Sequence, residues 1–265
     1  MAKGYSIHIG LNYIDINHYG VSGALKSCEN DARYMRTIAH GMGYESELVL
    51  TQKATRSKLY ELITGLSKTA LNGDFVLITY SGHGSYIPDL NHDEEDGMDE
   101  TWCLYDAQLI DDEVFYLLCK FAEGVRVLIL TDSCHNKTIY KALGSTTDYL
   151  DKCFATEKSV EIFQSNKKFY ENISLLMNEF PKMETGASII TIAACSDTET
   201  TGAGLDQFSL SAFTKSLKDI WETDFTGNYD DFVKSISKKE YGREAQISYL
   251  GKNTEIFKNQ TPFTI

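Results

Sequence analysis

The chain has 265 residues, of which 42% are hydrophobic and 12% aromatic, and it carries a formal net charge of −13. A chain of this length and composition can bury a full core, which argues against a disordered or fibrous protein. The acidic balance argues against nucleic acid or an anionic membrane surface as a partner.

Features of the whole chain also predict its domain organisation and its cellular compartment. Only three prolines occur and no Pro-, Gly- or Ser-rich linker divides the chain, which predicts a single domain over residues 1–265. The first residues lack the basic stretch and apolar run of a signal peptide, and no apolar run approaches the roughly 18 residues of a membrane span. Six cysteines without a C-x-x-C pair fit neither a zinc site nor a disulfide scaffold, so we expect a cytoplasmic protein.

Short apolar runs rich in β-branched residues alternate along the chain with segments of helical spacing. The predicted strands are Tyr5–Leu11, Glu47–Thr51 at an edge, Phe75–Tyr80, Val125–Thr131, Ala187–Ala194 and Ala245–Leu250. The predicted helices are Ser27–Ile38, Thr55–Leu71, Asp111–Phe121, Gln207–Trp221 and Tyr229–Lys239. This alternation predicts an α/β layered fold with a mostly parallel sheet, in which sites gather beyond the carboxyl ends of the strands.

Two segments depart from this alternation. Between Asp89 and Glu113 there are eleven acidic residues and no Lys or Arg. Such a block fits a solvated, self-repelling loop, a cation site, or an electrostatic funnel for a basic substrate. From about residue 136 to residue 186 the pattern weakens, and we expect a mobile or processing segment because so long a stretch without clear strands is unusual inside a compact domain.

Two reactive side chains directly follow predicted strands. His83 lies in the run Tyr80–Gly84, and Cys134 lies in the run Asp132–His135. If the two strands are neighbours, the side chains emerge side by side, and the imidazole can activate the thiol as a nucleophile. The backbone amides of Gly84 and Cys134 are the expected donors to a developing oxyanion.

These two motifs, 51 residues apart, resemble the catalytic pair of the caspase superfamily, and specifically that of metacaspases and bacterial orthocaspases in peptidase family C14, clan CD. The similarity extends over roughly residues 5–250 through the segments Leu25–Ala32, Asp93–Glu100, Ile110–Glu113 and Ala193–Asp197. The resemblance implies a caspase-hemoglobinase-like three-layer αβα sandwich with a mainly parallel central sheet. It also implies a cysteine endopeptidase that acts through Cys134 and His83.

The resemblance further implies cleavage after Arg or Lys in protein or peptide substrates. Residue by residue, the family's acidic pocket for that basic side chain matches Cys28, Asp31, Ser81 and Asp132. A pair of carboxylates can hold a guanidinium through charge-assisted bonds and repels an acidic side chain. An enzyme with this preference is expected to process itself among the lysines between residues 137 and 182.

Many members of the resembled family are activated by calcium bound through aspartates. Asp99, Asp111 and Asp112 match three of those positions, and their oxygen atoms suit a hard cation. The fourth position matches Lys141, whose ammonium would repel calcium. We therefore expect that no cofactor is required for the chemistry and that calcium acts at most as an activator.

Three other interpretations stay open at this point. They are a catalytically silent caspase-like scaffold, a cation-binding regulatory module built on the acidic block, and a transpeptidase of the related legumain group. The resemblance also suggests a monomer that works in stress response, programmed cell death or defence.

Overall fold

A computed structural model describes residues 1–90, 97–133, 149–180, 184–194, 202–204, 206, 208–239 and 244–265. The strands in chain order are β1 (Gly4–Gly10), β2 (Glu45–Leu50), β3 (Phe75–Ser81), β4 (Gly84–Pro88), β5 (Met98–Cys103), β6 (Gln108–Ile110), β7 (Arg126–Asp132), β8 (Tyr149–Asp151), β9 (Ser188–Ala193), β10 (Gly202–Gly204) and β11 (Gln246–Gly251). The helices are α1 (Ile16–Tyr19), α2 (Cys28–Gly41), α3 (Arg56–Thr69), α4 (Asp111–Leu118), α5 (Thr156–Ser165), α6 (Lys167–Asn178), α7 (Ala212–Trp221), α8 (Tyr229–Lys239) and α9 (Thr254–Lys258).

A six-stranded sheet with the order β11-β9-β7-β3-β1-β2 forms the centre of the described structure. Five of its strands run parallel, and β11 pairs antiparallel with β9 at one edge. Strand β2 occupies the other edge, where its burial is mostly partial, as its polar composition predicted. Two small antiparallel sheets, β4-β5-β6 and β8-β10, lie outside it.

Helices cover both faces of this sheet, which explains why its central strands are continuously apolar. One face carries Val76, Ile78, Val127 and Ile129 against side chains that include Leu59 and Ile63 of α3 and Leu117 of α4. The other carries Phe75, Leu77, Leu128 and Leu130 against α2, α7 and α8 through Met35, Phe213, Leu217 and Phe232. The three-layer sandwich predicted from the sequence is therefore confirmed. None of the described helices is long and apolar enough to cross a membrane.

The structure corrects the sequence analysis in two segments. Between residues 136 and 186, where little regular structure was expected, α5 and α6 pack through buried Phe163 and Tyr170. Their apolar positions are split between two short helices rich in Lys and Ser, so no long periodic pattern marks them. Within the acidic block, part of the expected loop is the hairpin of β5 and β6, because Trp102, Cys103 and Leu109 join the main core.

Candidate active site

The carboxyl ends of β3 and β7 form the floor of the candidate site. The two strands pair in parallel with Ser81 opposite Asp132, so the predicted adjacency of the strands that precede His83 and Cys134 is confirmed. Cys134 itself, with His135, lies outside the described residues. Because side chains alternate along a strand, Ser81 and Asp132 point to the face covered by α2 and α7.

The first turn of α2 brings Asp31 to the same place. Lys152, the residue directly after β8, completes a buried charge cluster there. The Lys152 ammonium lies 2.9 Å from Asp132 Oδ1 and 3.3 Å from Asp31 Oδ2. It also donates to Ser81 Oγ at 2.9 Å and to the Asp132 carbonyl at 3.0 Å. The Lys152 side chain is 0% exposed. The predicted pocket residues Asp31, Ser81 and Asp132 thus lie together, around a basic side chain of the chain itself.

Two residues at the start of α7 orient the pocket carboxylates. The Ser211 amide donates to Asp31 Oδ1 at 2.8 Å, and the Ser211 hydroxyl donates to Asp31 Oδ2. The Thr214 hydroxyl donates to Asp132 Oδ2 at 2.8 Å. Sequence reasoning missed both residues, because α7 is distant in the chain and a serine before an apolar helix signals only a cap.

Burial and pairing set the protonation states of this cluster. Burial alone would lower the pKa of Lys152, but the carboxylates of Asp132 and Asp31 raise it above its usual value, so the ammonium stays charged. Burial raises the pKa of Asp31, and the Lys152 ammonium opposes that shift. Burial raises the pKa of the neighbouring Cys28 thiol to about 12, so this predicted pocket residue stays a neutral thiol.

His83, the predicted partner of the nucleophile, is held in one tautomer by a backbone carbonyl. Its Nε2 lies 3.0 Å from the carbonyl oxygen of Gly23, which can only accept, so the ring proton is assigned to Nε2. The buried Nδ1 has no hydrogen-bond partner among the described residues and is free to accept a proton. Burial lowers the pKa of His83 to about 4, so the imidazole is neutral near pH 7.

Gly23 is a member of the site that the sequence did not reveal. Its φ of +51° lies in the left-handed region that favours glycine. A Cβ at this position would come within 3.1 Å of the His83 ring and 3.0 Å of Ile14. Only a glycine therefore lets this carbonyl approach the imidazole so closely. No local sequence pattern predicts the contact.

The backbone amide of Gly84, predicted as an oxyanion donor, faces a carbonyl oxygen. It donates to the carbonyl of Lys152 at 2.9 Å. The Lys152 side chain and its carbonyl thus occupy two different parts of the predicted site. An amide donor therefore lies near a neutral imidazole and a pair of buried carboxylates, and the amide and the imidazole are groups of the kind that acyl transfer uses.

The aspartates predicted to bind calcium lie apart from this pocket, on β5 and α4. Burial raises the pKa of Asp111 to about 8, and the nearby carboxylates of Asp99, Glu100 and Asp112 add to that shift. Lys141 lies outside the described residues. Within the described part of the chain, no group of three or more His, Cys, Asp or Glu side chains has the arrangement of a metal site.

The buried ion pair gives a prediction about stability. Asp132→Asn removes one of the two charges that neutralise the buried Lys152 ammonium, so we expect the free energy of unfolding to fall by about 3–5 kcal/mol. Glu61→Gln breaks the surface pair of Glu61 and Lys58, whose side chains are 69% and 39% exposed, and should cost less than about 1 kcal/mol. Urea unfolding monitored by circular dichroism measures both. Equal losses would contradict the assigned pairing.

Comparisons with known proteins place the chain in a family. The family described as metacaspase, peptidase C14 domain, matches residues 5–143, which is more than half of the chain. Metacaspase-1 of Saccharomyces cerevisiae is 35% identical over 141 residues, which cover 48% of this chain and 33% of the yeast protein. Metacaspase-1 of Emericella nidulans is 34% identical over 138 residues, covering 46% and 34%. The match therefore spans about a third of the length of these relatives.

Solved structures resemble the whole fold. Protein GSU0716 from Geobacter sulfurreducens superposes with a TM-score of 0.88 at 35% identity, over 99% of both chains. Caspase-1 from Spodoptera frugiperda superposes with a TM-score of 0.58 at 9% identity, over 94% of this chain and 86% of the insect enzyme, which is a likeness of fold alone. The family match over more than half of the chain shows that it belongs to the metacaspases, the caspase-like peptidases of family C14.

Proposed function

We propose that the protein is a cysteine endopeptidase that hydrolyses peptide bonds after Arg or Lys through the dyad of Cys134 and His83. The observation that carries the proposal is the Lys152 ammonium buried between Asp31 and Asp132, which supports a pocket suited to a basic side chain. Two buried carboxylates would repel an acidic side chain in the same position.

The proposed chemistry uses the groups that surround this pocket. His83 Nδ1 accepts the thiol proton of Cys134, while the Gly23 carbonyl holds Nε2–H and with it the orientation of the ring. The thiolate attacks the carbonyl carbon, and the Gly84 amide stabilises the negative oxygen. His83 then returns the proton to the leaving amine. Water hydrolyses the thioester, which releases the carboxylate product and restores the thiol.

The pocket offers a site for arginine as well as for lysine. A cavity of about 10 Å³, roughly the volume that one water molecule needs, borders Asp31, Asp132 and Thr214. A guanidinium extends farther than an ammonium and can donate to both carboxylates in a forked arrangement. This additional volume beside the carboxylates supports a preference that includes both basic residues.

Other parts of the proposal rest on the family and on composition. We propose a cytoplasmic monomer that acts on protein substrates, with self-processing as a means of control and with a role in stress response, cell death or defence. The net charge of −13 supports a preference for basic segments over nucleic acid. Calcium, if it acts through Asp99, Asp111 and Asp112, is proposed as a modulator and not as a participant in the chemistry.

Cleavage of fluorogenic peptides tests the proposed specificity. After prolonged incubation of the full chain, we expect hydrolysis after Arg and after Lys, and a rate at least about 100-fold lower after Asp because of the two pocket carboxylates. Cys134→Ala should abolish the activity while leaving the unfolding midpoint unchanged. Release after Asp, or activity that survives in Cys134→Ala, would contradict the proposal. The absence of hydrolysis in every preparation would favour the silent scaffold.

The contact between His83 and the Gly23 carbonyl gives a second test. Gly23→Ala places a methyl group against the imidazole, so we expect kcat to fall on the order of 10- to 100-fold with little change in KM. Gly43→Ala is the matched control, because Gly43 also has a positive φ but has open space where the Cβ would lie. A similar loss of kcat in both variants would mean that backbone strain, and not the contact with His83, causes the effect.

Hydrolysis in the presence of a chelator tests the role of calcium. We expect cleavage after Lys to persist in excess EGTA, because none of the proposed steps involves a metal. Added calcium should change the rate in wild type and have no effect in Asp111→Asn, if the cation acts through that carboxylate. Complete loss of activity in EGTA would overturn the proposal that calcium is dispensable.

A further inference from the structure

The chain passes from the main sheet into a small sheet at the proposed base. Strand β3 ends at Ser81 and β4 begins at Gly84, so Gly82 and His83 form the link between the two strands. Glycine restricts the backbone less than any other residue, and His83 has a glycine on each side. The neighbours of His83 in the chain therefore constrain its backbone little, and its position depends on contacts with the surrounding structure.

The hydroxyl group of Tyr80 supplies one of these contacts. It donates to the carbonyl oxygen of His83 at 2.7 Å, and it lies 3.1 Å from the carbonyl oxygen of Cys103. The Cys103 amide donates to the same His83 carbonyl at 3.0 Å. Burial raises the pKa of Tyr80 well above its usual value, so the hydroxyl keeps its proton and stays a donor near pH 7.

The packing of the Tyr80 ring fixes where that hydroxyl lies. Tyr80 is 1% exposed and belongs to the core that α3 and α4 cover. Its ring stacks on Trp102 of β5 with the centroids 4.9 Å apart and the planes 5° apart. Trp102 pairs with Gly84, the first residue of β4. The Tyr80 side chain thus contacts both sheets beside His83, and close packing of this kind keeps its hydroxyl in one place.

The link between the two strands passes close to this hydroxyl at Gly82. A Cβ atom on Gly82 would lie 2.7 Å from the Tyr80 oxygen and 2.9 Å from the ring carbon that carries it. The approach therefore depends on the absence of a side chain at this position. The Tyr80 hydroxyl contacts the backbone of the base, while the Gly23 carbonyl contacts its ring at Nε2.

We propose that Tyr80 is a positioning residue whose hydroxyl fixes the backbone of His83 for proton transfer with Cys134. The inference rests on the proposed function and adds a residue that touches neither the substrate nor the reacting atoms. The backbone and the ring of the base are then held at separate points, by Tyr80 and by Gly23. Proton transfer requires the imidazole within hydrogen-bond reach of the thiol, so a small displacement of the backbone slows it.

The acidic pocket lies on the other face of the main sheet. Ser81 donates to Asp31 of α2, and Asp132 accepts from Thr214 of α7. Tyr80 directly precedes Ser81 in β3, and adjacent residues of a strand point to opposite faces. Loss of the Tyr80 hydroxyl should therefore affect the base and leave the binding of the substrate's basic side chain unchanged.

Hydrolysis of a Lys peptide by Tyr80→Phe tests this role. The substitution removes the hydroxyl and keeps the ring, so kcat should fall on the order of ten-fold while KM stays within about two-fold of wild type. Tyr44→Phe is the matched control, because Tyr44 is also buried and its hydroxyl donates to the Phe263 carbonyl at 2.9 Å. Tyr44 precedes β2 at the amino end of the parallel strands, opposite the site, so this variant should keep the kcat of wild type.

A spectroscopic measurement tests the same contact without catalysis. In the Cys134→Ala chain, the Nε2 proton of His83 should exchange slowly with water, because it is buried and bonded to the Gly23 carbonyl. Nuclear magnetic resonance of chain labelled with ¹⁵N-histidine measures this exchange, and the loss of the signal in His83→Gln assigns it. The exchange should be at least about ten-fold faster in Tyr80→Phe and unchanged in Tyr44→Phe.

The outcomes separate this inference from the proposed function. An unchanged kcat in Tyr80→Phe, an equal loss of kcat in Tyr44→Phe, or a rise in KM alone would overturn the positioning role and leave the peptidase standing. Unchanged exchange of the His83 proton in Tyr80→Phe would overturn the positioning role as well. If no preparation hydrolyses any peptide, the proposed function fails, and faster exchange in Tyr80→Phe alone would still support the contact that holds His83.

Discussion

The candidate site depends on one buried ammonium held between two carboxylates. Without Lys152, the side chains of Asp31 and Asp132 would be buried beside each other without a cation, which is costly in a protein interior. Ser81, Ser211 and Thr214 lower that cost by donating to the carboxylates or accepting from the ammonium. The two pocket carboxylates are therefore accommodated in this interior by the cation that lies between them.

The position of this cluster follows from the parallel sheet. Strands that run in the same direction end at the same edge, so the residues after β1, β3 and β7 meet there although they are far apart in the chain. The faces of the sheet are used mainly for apolar packing, and the acidic pocket lies at the strand ends. The acidic pocket and His83 thus lie on a rigid layer, where small displacements by a substrate are resisted.

Two backbone contacts at the site, made by Gly23 and by Gly84, form only in the folded chain. The Gly23 carbonyl selects the tautomer of His83, and the glycine is required because a side chain would collide with the ring. The Gly84 amide contacts the carbonyl of Lys152, which lies 68 residues later in the chain. Each contact joins segments of distant sequence, so neither could be predicted from local pattern.

The sequence by itself determined the alternating elements and the six strands of the main sheet, because strand periodicity is a local property. The role expected of His83 came from a short motif and from the resemblance to metacaspases. The roles expected of Asp31, Ser81 and Asp132 came from that resemblance alone, and all four roles stay predictions. The position of Cys134 in the fold lies outside the described residues, so its role stays a prediction from sequence. Only the tertiary structure decided that Lys152, one lysine among many, fills the acidic pocket. It also decided that Ser211 and Thr214 hold the pocket carboxylates, because burial and charge pairing arise only when distant segments of the chain meet.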